Sequence, residues 1–140
     1  MTDYEFVKQA LRGDNSEVQL GRLALKNAGS ASVKSFAQML IDDHSKARLQ
    51  AAAVAEELKA PASNEVAPDA QKTYDHLQTL KGADFDRQFV AYMVQDHEKD
   101  IADFKQEASQ GHGPAQKLAA EGLPTLEKHL ETAKSLEHSL

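Results

Sequence analysis

The sequence contains no cysteine and no tryptophan. Without thiols, disulfide staples, thiolate nucleophiles, Cys-based zinc sites and iron–sulfur clusters are all excluded. Proline and glycine are sparse, four and seven residues in 140. β-Branched residues are scattered and no strand pattern emerges. No run approaches the ~18–20 apolar residues of a membrane span, which argues against membrane insertion. The acidic start Met1-Thr2-Asp3-Tyr4-Glu5 lacks the pattern of a secretory leader, so the chain reads as cytoplasmic or as beginning after a removed leader. Positive charge is also in deficit: 16 Lys+Arg stand against 22 Asp+Glu, a net charge of −6. With Lys and Arg interleaved among acids along every helical segment, no nucleic-acid surface is expected. There is no phosphate loop and no nucleophile elbow.

What is present is helix-forming sequence, rich in Ala, Leu, Glu, Lys and Gln. Hydrophobic residues make up 41% and charged residues 27%, a globular composition at a length suited to one domain over residues 1–140. Turn signals at Asn27-Ala28-Gly29-Ser30, Pro61–Pro68, Lys81-Gly82-Ala83-Asp84 and Gly111-His112-Gly113-Pro114 divide the chain. The spacing predicts long helices over about 3–28, 31–59, 84–110 and 114–136, and a short one over about 69–80. Gly13-Asp14-Asn15-Ser16 is expected to bend the first, and Pro124 to kink the last. Long helices of this kind span on the order of 40 Å. Only the connection between the second and third long helices has enough chain to travel that length. The expected fold is all-α, a four-helix bundle with one long crossover carrying a short extra helix. An apolar face on that short helix, if left exposed, offers a contact for a homo-oligomer.

Six histidines then divide into two groups. His76, His112 and His138 fall in a short helix, a turn and the C-terminus. His44 lies on the apolar stripe Val33, Phe36, Ala37, Leu40, Ile41, Ala47, Ala51. His97 lies on Phe89, Val90, Met93, Val94, Ile101, Phe104, and His129 on Ala119, Gly122, Leu126, Ala133. A short internal repeat aligns Phe36 through Asp43-His44 and Lys46 with Phe89 through Asp96-His97 and Lys99. On the first helix, Glu17 is the mid-length polar residue on the face of Gly21, Ala24 and Ala28. Being central, Glu17, His44, His97 and His129 reach similar depth whichever way each helix runs.

Buried polar groups need partners, and two arrangements supply them. Either Glu17, Asp43 and Asp96 accept hydrogen bonds from the imidazoles in a metal-free, purely structural network, or the four central residues bind a transition-metal ion. Neutral imidazoles with a carboxylate suit zinc, copper or iron. Asp43 and Asp96 sit about 100° around the helix from their neighbouring histidines, so they are placed to support ligands on adjacent helices. A di-iron centre needs Glu-x-x-His pairs, but Ile41, Val94 and Leu126 precede the three histidines by three residues. Ferroxidase or oxygenase catalysis is therefore not expected, and no catalytic residues are assigned.

At these residues the sequence resembles a family of bacterial ferritin-like proteins of unknown function, many described as outer-membrane or periplasmic. The resemblance rests on Phe6-Val7, Glu17-Val18-x-Leu20-Gly21, Phe36 through Asp43-His44, Phe85-Asp86 through Asp96-His97-Glu98-Lys99-Asp100, and Leu123-Pro124-x-Leu126 with His129. It implies a ferritin-like bundle and an exported, periplasmic setting, and no established reaction.

Overall fold

The computed structural model describes residues 1–140 and consists of five helices: α1 (Asp3–Asn27), α2 (Ala31–Glu57), α3 (Pro68–Leu77), α4 (Gly82–Gln110) and α5 (Gly113–Ser139). Each boundary has a local cause. Thr2 and Glu5 form a reciprocal capping box at the start of α1, and the Ser30 hydroxyl accepts from Ser32 and Val33 at the start of α2. Pro68 and Pro114 sit in the first turns of α3 and α5, where a missing N–H costs nothing. At the end of α2, Lys59 takes a left-handed conformation, φ 58°. The Ala60 and Lys59 N–H groups then donate back to Ala55 and Glu56 carbonyls, the paired bonds of a Schellman ending.

α1 packs against α2 and α4 against α5, and the two hairpins meet through α2–α5 and α1–α4. The end of α1 touches the start of α4 through a parallel backbone bridge, Ala28 to Gly82. At the opposite end the His112 N–H donates to Asp3. α4 therefore runs antiparallel to α1, and residues 58–81 carry the chain back along the full length of the bundle. α3 lies in this crossover and packs on α1 and α4. Its apolar face is covered within the chain, with Ala70 and Leu77 buried in the core.

Two helices run unbroken through the positions where a bend or kink was expected. α1 is a single helix through Gly13–Ser16, because those polar side chains are occupied with the crossover. Asn15 Nδ2 donates to the Ser63 and Glu65 carbonyls, and Ser16 Oγ accepts from the Ala67 N–H. α5 also continues as one helix through Pro124.

The turn between α1 and α2 is held by a buried carboxylate. Asp86 on α4 accepts from the Gly29 and Ser30 N–H groups, both at 2.9 Å. Asp86→Ala leaves both donors without an acceptor, and a loss of about 2–4 kcal/mol is expected in urea unfolding. A loss under about 1 kcal/mol would show that water replaces the carboxylate.

The apolar core is in two parts. The larger, around Leu20, Ala24, Phe36, Leu40, Phe85, Phe89 and Met93, fills one end. The smaller, around Phe6, Val7, Leu11, Ala51, Ala55 and Ala119, fills the other. Neither includes a histidine. The buried Asp14, Glu17, His44, His97 and His129 occupy the middle layer between them.

Candidate metal centre

The internal repeat is a structural one. The aromatics that open its two copies, Phe36 and Phe89, meet edge to face at 6.3 Å between centroids. Eight residues on, about two turns of helix, His44 and His97 meet in the same way at 5.8 Å. His129 on α5 completes the group, 5.2 Å from His44 and 5.4 Å from His97. All three rings are buried, with His97 and His129 at 0% exposure. One ring nitrogen from each lies within 4.8 Å of the other two.

Each ring has an outward partner. His44 Nδ1 is 2.9 Å from Asp14 Oδ1, His97 Nδ1 is 2.8 Å from the Met93 carbonyl oxygen, and His129 Nε2 is 2.7 Å from Asp43 Oδ2. With these nitrogens donating, the other nitrogen of each ring carries a lone pair. Those are His44 Nε2, His97 Nε2 and His129 Nδ1, and all three are buried without a hydrogen-bond partner. Three such lone pairs on adjoining buried rings, with each N–H anchored to an acceptor, form a donor set for a cation.

Electrostatics keep the rings neutral. Burial holds His44 down to about 4 against the pull of Asp43 and Asp96. His97 is also held to about 4, by burial and then by His44 and His129. Burial lowers His129 as well, opposed by its bond to Asp43. Neutral imidazole is the form that ligates. On the outer side, burial pushes the Asp14 carboxyl well above the usual range, with Arg48 opposing. A cavity of about 240 Å³ lined by Asp14, Asp43, His44, Lys46, Phe104 and Glu121 reaches this edge of the group from the surface.

Glu17 lies elsewhere. It is fully buried at the same depth, but its Oε1 is 4.0 Å from His97 Nδ1, the nitrogen on the far side of the ring from the unpartnered Nε2. The structure groups Glu17 with Asp96 and His97, and groups His97 separately with His44 and His129. Asp43 reaches from α2 to a histidine on α5, whereas Asp96 lies beside Glu17. Two participants escaped the sequence reading. The Met93 carbonyl is backbone and carries no residue signal. Asp14 stands three residues before Glu17, on the same face of α1, and was masked by its place in a polar run.

Residues 1–136 match the family described as Domain of unknown function (DUF4142). The chain belongs to that family. No curated protein matches it. Its fold is similar to the crystal structure of a DUF305 fragment from Deinococcus radiodurans, with a TM-score of 0.85 and 18% sequence identity. The similarity covers 99% of this DUF4142 chain and 96% of the fragment. At that identity the likeness is one of fold.

Proposed function

We propose that this DUF4142 protein is a ferritin-like bundle that binds one transition-metal ion between its two core clusters, with His44, His97 and His129 as ligands. The observation that carries this reading is the set of three buried ring nitrogens that have no other partner. Zinc, copper and iron all suit imidazole, and a hard ion such as magnesium does not. Zinc binds imidazole nitrogen at about 2.0–2.1 Å, and one nitrogen of each ring already lies within 4.8 Å of the other two. Asp14, the Met93 carbonyl and Asp43 fix the tautomers and raise the basicity of the ligands.

Glu17 belongs to the same layer, on the other side of His97. Bridging carboxylates of the di-iron type are missing, since Ile41, Val94 and Leu126 occupy those positions. Holding or delivering the ion fits this donor set better than oxygen activation. The family resemblance supports an exported, periplasmic setting.

Cobalt titration of untagged, chelator-stripped protein tests the reading. One equivalent is expected to give the visible absorption of a low-coordinate imidazole site. Asp43→Ala is expected to weaken binding 10–100-fold by freeing the His129 ring, and Asp14→Ala similarly through His44. A spectrum unchanged by His44→Ala plus His97→Ala would sink the proposal, and no spectrum in either protein would favour a metal-free hydrogen-bond network.

A further inference from the structure

A second group of donors lies on the other side of His97. Glu17, from α1, is 0% exposed, and neither of its carboxylate oxygens has a hydrogen-bond partner. Asp96, from α4, brings a carboxylate oxygen within 4.8 Å of it. Asp100 follows one turn later on the same helix, so it shares the face of Asp96. No lysine or arginine forms an ion pair with any of the three. The nearest imidazole is no donor to Glu17, because His97 Nδ1 is committed to the Met93 carbonyl at 2.8 Å.

A buried carboxylate with two unmet oxygens requires either protons or a cation. A single proton shared with Asp96 answers one oxygen of Glu17 and leaves the other unmet. A divalent ion answers both and offsets the mutual repulsion of the acids. A cavity of about 180 Å³ lined by Arg12, Ser16, Asp69, Asp96, Lys99 and Asp100 opens on the Asp96 side of this group. It provides an entry route and room for water ligands.

We propose that Glu17 and Asp96, with Asp100 at the mouth, form a second cation site that takes a hard divalent ion. Its oxygen donors select for the manganese, magnesium and calcium class, whereas the imidazoles select for zinc or copper. The two sites flank His97 and differ in chemistry, so this assignment stands independently of the imidazole centre.

Manganese is the probe. Loss of the free-ion EPR signal is followed as Mn²⁺ is added to the chelator-stripped full chain. One ion per chain is expected, bound at least about tenfold more weakly by Glu17→Gln and by Asp96→Asn. His44→Ala plus His129→Ala is expected to leave Mn²⁺ binding unchanged while abolishing the cobalt spectrum. If Glu17→Gln fails to fold by circular dichroism, Asp96→Asn, at a partly exposed position, carries the test alone. The proposal is overturned if Mn²⁺ does not bind by about 1 mM, or if both carboxyl variants bind it normally. It is also overturned if the histidine variant loses Mn²⁺ as well, since one mixed site would then explain everything. Loss of the cobalt spectrum's dependence on histidine, with Mn²⁺ binding intact, would overturn only the imidazole centre.

Discussion

Zn²⁺ added to metal-stripped protein to a free concentration of about 100 times its dissociation constant is expected to raise the melting temperature by roughly 10 °C, and to leave His44→Ala plus His97→Ala unmoved. The size follows from linkage. An ion that binds only the folded chain, present at 100 times its dissociation constant, adds about 2.7 kcal/mol. For a chain of 140 residues, each 1 kcal/mol moves the midpoint by about 3–5 °C. The specificity follows from geometry, since the inward nitrogens come from α2, α4 and α5, three helices that part on unfolding. An ion held by surface acids would give a shift that survives in the double variant. A purely structural histidine cluster would give no shift in either protein. Copper and iron salts belong in the same experiment, and the ordering among them reports the ion that the site prefers.

The depth of this centre was legible in the sequence and its orientation was not. Helical periodicity placed His44, His97 and His129 inward, and their central positions put them in one layer. Both inferences depend only on rise and turn per residue. The repeat Phe36…Asp43-His44 and Phe89…Asp96-His97 also translated into ring pairs that meet across the bundle. Glu17 came to the expected depth too, but an imidazole has two nitrogens, and no angular reading tells which one a neighbour faces. His97 rotates Nδ1 onto its own Met93 carbonyl, and this local bond places Glu17 behind the ring. Asp14 was hidden for a different reason. In Gly13-Asp14-Asn15-Ser16 every residue is a common turn former. Only the packed crossover shows that Asn15 and Ser16 tie it down while Asp14 turns inward to His44.

The metal-free protein is expected to lose stability as pH rises above about 6.5 through the raised values of its buried carboxyls, while the zinc-induced gain grows over the same range. Two sets of buried groups set the sign. His44 and His97, at about 4 when folded, and the lowered His129 have unfolded values near 6.5. Their neutral burial costs nothing above that pH, and their contribution is lost as pH falls from 6.5 towards 4. Asp14, Glu17 and Asp100 are raised well above their unfolded values, in each case chiefly by burial. Their contribution is present at low pH and is lost as pH rises through the raised values. Glu107, raised to about 7 by burial and Asp3, acts in the same direction. Between pH 4 and 6.5 the three histidines oppose the four acids, so the profile falls less steeply there than the acids alone would make it. Above 6.5 the histidines are silent and only the acids act, each by up to about 1.4 kcal/mol per pH unit while it still holds its proton in the folded state. Zinc reverses the slope. Binding at the imidazoles and deprotonation of Asp14 favour one another, so a bound ion replaces the protons that rising pH removes. Urea unfolding from pH 5 to 8.5, with and without zinc, checks both halves. A metal-free stability that climbs above pH 6.5 would mean that these carboxyls are ionised and paired in the folded chain. The case for cations in this layer would then have to rest on the imidazoles alone.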